Sequence, residues 1–147
     1  MAVEYLSLGD YLVIASATLG IPAEELARYA NLGLVDSALH APAAGTGDID
    51  FYPDLATKAA VLCSRLVRNH PLPDGNKRVA YECLRTFLDL NGQDLRRDVK
   101  DEPDEDNLVQ LIFDLAGSAI SEKAFETWLR DRIVPARPQT NLGDTDG

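Results

Sequence analysis

Apolar residues recur every three to four positions along most of this chain. The clearest run is residues 54–69, DLATKAAVLCSRLVRN, where Leu55, Ala59, Leu62, Cys63 and Leu66 share one helical face and Asp54 is a natural N-cap. Residues 76–91, NKRVAYECLRTFLDLN, repeat the pattern through Val79, Cys83, Phe87 and Leu90, and Asn91-Gly92 closes it. Upstream, residues 2–20 read as one helix, with Gly9 a weak point inside it and Gly20 near its end. Its apolar positions nearly surround the axis, as in a central core helix or one whose second face receives a partner. Residues 22–30 predict a short helix with Pro22 in its first turn and Glu24 and Glu25 behind it, and VDSALHA predicts a further short helix or turn. Downstream, NLVQLIFDLAGSA and SEKAFETWLRDRIV complete the set, with Trp128 expected in the core. Asp104, Glu105 and Asp106 fall where the first of these two helices begins, a position that suits acids because of the helix dipole. Strand signals are almost absent, so the predicted class is all-α.

The long connection APAAGTGDIDFYPD is small, glycine-rich and acidic, and ends in Phe51 and Tyr52. It predicts a loop or a short β-hairpin flap, the kind of segment that often carries function. Pro135 is expected to end the fold, leaving one domain over residues 1–134 and a polar, disordered tail over 135–147.

Composition narrows the class of function. A chain of 147 residues with 46% hydrophobic and 26% charged residues is an ordinary globular domain, large enough to build its own core. A net charge of -10 argues against direct nucleic-acid binding and against an anionic membrane surface, while leaving room for a small basic pocket. Cys63 and Cys83 sit among apolar residues of predicted helices and read as buried free thiols. The start MAVEYLSLGD lacks a basic leader region, and no apolar run reaches the ~18 residues of a membrane span, so a cytoplasmic protein is expected.

Between the two clearest helices lies HPLPDGNKR, with one of only two histidines in the chain. Lys77 and Arg78 then fall in the first turn of a helix, where cations are disfavoured by about 0.3–1 kcal/mol each. Sequences that break a local rule often do so at functional sites. The missing partner should be an anion, since free backbone N–H groups after Gly75 and two cationic side chains make a compact phosphate pocket. Gly75 permits a tight turn and a close backbone approach, and Pro71 and Pro73 stiffen the entry. Asp74 suits a magnesium ligand beside phosphates, or simply an N-cap. His70 has the imidazole that serves best as a general base at neutral pH. His40 has no such company and reads as structural or surface. The loop is no Walker A sequence, which needs G-x-x-x-x-G-K-(S/T), and the chain lacks the protein-kinase signatures. The residues themselves describe a phosphate-and-metal pocket with a histidine base.

The same residues carry a family resemblance. HPLPDGNKR resembles the Fic/Doc superfamily motif H-x-F-x-(D/E)-(G/A)-N-(G/K)-R, and among its branches the "death on curing" or Doc toxins. YPDLATKAAVLCSRLVRNHPLPDGNKRVAYECLRTFLDLNG extends the likeness to helix, motif and second helix, and NLGLVDSALHAPAAG resembles the segment before the flap. The resemblance implies an all-helical Fic/Doc-type bundle with a short flap, Asp50, Phe51 and Tyr52, that positions the target. It implies His70 as general base, Asp74 as the magnesium ligand, and Gly75, Asn76, Lys77 and Arg78 on the phosphates of ATP.

Lys77 is the position that separates branches. Fic proteins that transfer AMP have glycine there, whereas Doc proteins share the lysine and are similar to kinases in outcome, passing the γ-phosphate to a threonine of elongation factor Tu. Leu72 replaces the motif phenylalanine, and Tyr81 stands where AMP-transferring Fic proteins have a second arginine. The self-inhibitory sequence (S/T)-x-x-x-E-(G/N) is absent, so the resemblance implies restraint by a separate Phd-like antitoxin. Two rival expectations remain: a Fic-type AMP- or nucleotidyl-transferase, and a non-catalytic, antitoxin-binding corepressor module.

Overall fold

The computed structural model describes residues 2–96 and 102–136. Ser7 starts the first helix: its hydroxyl accepts the Asp10 N–H at 3.0 Å, and Asp10 returns a carboxylate to the Ser7 N–H at 2.9 Å. This reciprocal cap satisfies two otherwise unpaired donors, so α1 (Leu8–Leu19) begins later than the apolar pattern predicts. Residues 2–6 are not helical. Leu6 is buried there, Val3 and Tyr5 pack against the core, and Asn91 holds the backbone of Glu4 through two hydrogen bonds. A run that is apolar on all sides marks burial rather than helix, which is why the sequence alone overextended α1. Gly20 closes it at φ 69°, the left-handed region that glycine enters freely.

The short helices α2 (Ala23–Tyr29) and α3 (Leu32–His40) follow, then a single helical turn and the hairpin β1 (Gly45–Thr46) and β2 (Ile49–Asp50). The flap is therefore a hairpin, paired Gly45 to Asp50 and Thr46 to Ile49. Next come α4 (Leu55–Asn69), α5 (Asn76–Leu90), β3 (Gln93–Leu95), α6 (Glu102–Ala116), α7 (Glu122–Arg130) and β4 (Ile133–Pro135). The mainly helical bundle agrees with the expected class. Helix α4 is its axis, buried on nearly all sides and packed against α3, α5, α6 and α7. Cys63 and Cys83, on α4 and α5, are free and fully buried, and burial pushes the Cys63 thiol up to about 12. None of the described helices is long and apolar enough to cross a membrane.

The small sheet β3–β4 has no sequence signal. Its strands are three residues each and pair antiparallel, Asp94 opposite Val134, tying the exit of α5 to the exit of α7. The Ala136 N–H donates to the Gly92 carbonyl at 2.8 Å, so ordered pairing continues past Pro135. The expected tail beyond residue 136 lies outside the described residues, as do the side chains of Asp104, Glu105 and Asp106, whose backbone belongs to α6. Trp128 is half-buried and packs against the core, with the Arg132 guanidinium 4.3 Å from its ring centre; Phe125 and Leu129 are fully buried within the core from α7.

Two charged clusters fasten this frame. Lys58, on α4, is 1% exposed, and its ammonium donates to the Pro42 carbonyl at 2.9 Å and to the Asp50 carboxylate at 2.8 Å. Burial works to lower the Lys58 pKa, but hydrogen bonds to Asp50 and Tyr5 outweigh it and hold the value above that of a free lysine. The same bond, with the Tyr52 N–H, holds Asp50 below the usual carboxylate range. At the start of α4, Asp54 caps Thr57 and pairs with Arg130 at 2.9 Å, and Arg130 also grips Glu126 of α7 at 2.9 Å. Burial raises the Asp54 and Glu126 carboxyls, but hydrogen bonds from Thr57 and Arg130, and from Lys123 for Glu126, leave both below their ordinary range.

A pH dependence follows. Lowered carboxylates stabilise the fold above their unfolded values near ~4, and that stability is lost as pH falls through the still lower folded values. The raised Lys58 acts oppositely: its contribution is whole below the lysine reference of ~10.4 and disappears as pH rises through the folded value. Urea unfolding across pH should show a plateau between these limits. Lys58→Met, which keeps the stem but removes the ammonium, should lower the plateau by about 1–3 kcal/mol by leaving the Pro42 carbonyl unpaired, and should remove the Asp50 share of the acid loss. A plateau within 0.5 kcal/mol of wild type would mean that Lys58 does not hold the flap.

Candidate functional site

Helix α4 stops at Asn69 because His70 turns into the left-handed region, φ 51° and ψ 55°. Leu72, 2% exposed, plugs the following loop into the core, doing the packing job expected of it in place of the phenylalanine. The Asn31 N–H donates to the Pro71 carbonyl at 2.8 Å, and the Asn69 amide donates to the Leu34 carbonyl at 3.2 Å, so α3 braces the loop from outside. Gly75, at φ 88°, is the N-cap of α5. A Cβ there would come within 2.6 Å of the Leu19 side chain, so both backbone and packing call for glycine.

Asn76 governs the inside of the loop. Its side chain is buried; the amide oxygen accepts the Leu72 N–H at 3.0 Å, and the amide nitrogen donates to the Leu72 carbonyl at 2.8 Å. These two bonds fix the amide orientation, and its second N–H points to His70 Nδ1 at 3.2 Å. In this arrangement Nδ1 accepts and the neutral ring carries its proton on Nε2. The amide of Asn76, which also lines the cleft, braces the loop and contacts the histidine.

Asp74 does not cap α5. Its carboxylate accepts the adjacent Gly75 N–H at 2.8 Å, and no side chain caps the helix. The start of α5, uncapped by a side chain, lies at a cleft of about 460 Å³ lined by Asp74, Gly75, Lys77 and Arg78 among others. Asp74 and Arg78 are exposed. Neither Lys77 nor Arg78 has a carboxylate partner among the described residues. Lys77 instead places its ammonium 4.8 Å from the ring centre of Phe113, on α6.

The structure brings residues 74–78 together around one cleft, and His70 adjoins them through Asn76. It does not bring the flap there. Asp50 is tied to Lys58 near the start of α4 and Phe51 is 55% exposed. Helix α4 is fifteen residues long, which at about 1.5 Å per residue separates that tie from His70 by roughly 20 Å. His40 is exposed and bonds only its own helix, at the Asp36 carbonyl, as expected of a surface residue. Sequence reasoning missed the far wall of the cleft: Thr18 of α1 and Val109, Ile112 and Phe113 of α6. The available signal was the surplus of apolar positions on α6, of which Val109 and Phe113 remain exposed.

A cation-bearing helix N-terminus beside a tethered imidazole suits an anionic ligand. Residues 5–88 match the Fic/DOC family. The chain belongs to the Fic/Doc family. Within it, the chain is 42% identical over 103 residues to Toxin Doc of Mycolicibacterium smegmatis, a span that covers 70% of this chain and 76% of that protein. This likeness sets the chain on the Doc side of the family. No solved structure matches it. The Fic/Doc match takes in the flap, α4, the loop and nearly all of α5, but stops short of α6 and therefore of the Phe113 wall.

No group of three or more side chains suited to a metal forms among the described residues. That is compatible with magnesium, which takes one or two carboxylates and completes its shell with phosphate oxygens and water. Asp74 supplies one exposed carboxylate beside the cationic helix start, and so fits.

Proposed function

We propose that this chain is a Doc-type toxin of a toxin–antitoxin module that transfers the γ-phosphate of ATP to a serine or threonine hydroxyl of a translation factor, with elongation factor Tu as the expected target. The observation that carries the reading is the placement of Lys77. Its side chain lies in the cleft at the α5 N-terminus, where the AMP-transferring branch has glycine, and among the described residues it reaches Phe113 rather than a carboxylate. Phosphoryl transfer asks mainly for positioning and charge stabilisation, and an ammonium beside free N–H groups supplies both.

The roles divide among the chain's own residues. His70 takes the proton from the target hydroxyl as its oxygen bonds to the γ-phosphorus. The bond from that phosphorus to the β–γ bridging oxygen breaks, and ADP leaves. For His70 to accept at Nε2, the ring proton must move to Nδ1 and the Asn76 contact must be released; at 3.2 Å this is the longest of the three bonds Asn76 makes. Lys77, Arg78 and the α5 N–H groups hold the phosphates. Magnesium, held at Asp74 and the phosphates, would neutralise part of their charge. The apolar side chains left exposed on this helical frame, Val13 of α1 at 67% and Phe113 of α6 at 51%, support a protein partner such as a Phd-like antitoxin. The acidic chain supports neither direct nucleic-acid contact nor membrane association, and the reading places the protein in the cytoplasm.

The test is purified protein with elongation factor Tu and ATP labelled at the γ- or at the α-phosphate. Wild type should transfer only the γ label. Lys77→Gly should lose γ transfer by at least about tenfold, the loss of one phosphate-bound cation, and gain at most weak α transfer, since Tyr81 does not replace the second arginine. Incorporation of α label by wild type would turn the reading to nucleotidyl transfer. Incorporation of neither label would favour a non-catalytic module.

A further inference from the structure

The ammonium of Lys77 lies over an aromatic ring contributed by a helix outside the shared motif. This contact has the geometry of a cation–π pair: 4.8 Å to the ring centre, within the ~6 Å that such pairs require. Phe113 is half-exposed, so its ring is not locked by packing. Its neighbour on the same face, Val109, is 42% exposed. Both line the cleft that Lys77 enters.

The balance of partners at Lys77 is unusual. It sits in the first turn of α5, where the helix dipole opposes a cation. Among the described residues the close contact its ammonium makes is with the Phe113 ring. A ring face attracts an ammonium less strongly than a phosphate oxygen does, since charge-assisted hydrogen bonds are the stronger class. A half-exposed ring is therefore a holding partner that a bound phosphate can displace.

We propose that Phe113 is a positioning residue that competes with the phosphates for Lys77: it parks the ammonium in the empty cleft and gives it up when a polyphosphate binds. The proposal rests on the phosphate-binding reading of the cleft and adds a regulatory element that the motif does not contain. It makes α6 the element that sets nucleotide affinity. Anything that presses Phe113 onto Lys77 weakens binding, and anything that draws the ring away strengthens it.

The probe is inorganic triphosphate with magnesium, followed by titration calorimetry and by the ε-methylene NMR signal of Lys77. In the free wild-type protein that signal should be shifted upfield by the ring current, and the shift should vanish on saturation. Phe113→Leu retains apolar bulk and helix propensity. It should remove the upfield shift and tighten triphosphate binding about three- to fivefold, the equivalent of one exposed cation–π contact. In a Lys77→Met background the same substitution should leave affinity unchanged, because the competition is gone.

Each other result has a definite meaning. Unchanged or weaker binding by Phe113→Leu overturns the competition while leaving the pocket intact. An equal gain in the Lys77→Met background shows that Phe113 acts through packing and also overturns it. No triphosphate binding by wild type overturns both the competition and the phosphate-binding reading beneath it.

Discussion

His70→Gly should abolish transfer to the target while leaving the protein more stable than His70→Ala. The two effects have separate causes. In the proposed reaction the imidazole takes the proton from the target hydroxyl, and loss of a general base costs about 10²–10⁴ in rate. The backbone of His70 sits at φ 51°. A left-handed conformation costs a non-glycine residue about 1–2 kcal/mol, and the greater unfolded freedom of glycine returns about 0.5–1 of that. Both substitutions lose the Asn76–His70 contact, so the gain of roughly 0.5–1 kcal/mol is that of glycine over alanine. His70→Ala should lose the same activity without the gain, because alanine keeps the strain. Comparing γ-label transfer with urea unfolding for the two variants checks both halves. Transfer at the wild-type rate by either variant would remove His70 from the role of base. Equal stability of the glycine and alanine variants would mean that the turn stores no strain.

Asn76→Ala should be the most destabilising single change at the site, by about 2–4 kcal/mol. The side chain is buried, and it is the partner of both the Leu72 N–H and the Leu72 carbonyl. Alanine would leave that donor and that acceptor unpaired inside the loop, each at about 1–3 kcal/mol, with partial relief as the loop relaxes. Asn76→Asp tests the orientation. It preserves shape and still accepts the Leu72 N–H, but it turns a carboxylate oxygen toward the Leu72 carbonyl where an N–H now donates. It should therefore be destabilised as well, although it differs from asparagine by one group. Denaturant midpoints for both variants decide the matter. A loss below about 0.5 kcal/mol for the alanine variant would show that the Leu72 bonds do not hold the loop together. Activity should fall in both variants, because the amide that orients His70 is the same one that holds the loop.

The cleft loop stood out in the sequence because it broke local rules in a short span. Lys77 and Arg78 at a helix start, a glycine before them and a histidine at the preceding helix end are all nearest-neighbour facts, and the family match to residues 5–88 agrees with them. The helices α4 and α5 were legible for the same reason, since capping by Asp54 and apolar spacing act within a few residues. Asn76 shows the limit. From sequence it belonged with the phosphate ligands; in the fold its amide is occupied by Leu72 and His70. A side chain's type says which bonds it can make, and only its surroundings decide which bonds it does make.

What the sequence by itself determined, then, are the helices α2 and α4 to α7 and the cationic turn with its histidine, because each is set by interactions between residues close in the chain; it left α3 as a helix or turn, and the connection to α4 as a loop or hairpin. The tertiary structure decided the rest. It cut α1 back to Leu8 by burying residues 2–6 as an extended segment, paired β3 with β4 across the length of α6 and α7, and buried Lys58 under the flap. It also set Phe113 against Lys77 and kept the flap at the far end of α4 from His70. Each of these depends on which segments meet after the chain has folded, and contacts between distant segments leave no periodic trace in the residues that make them.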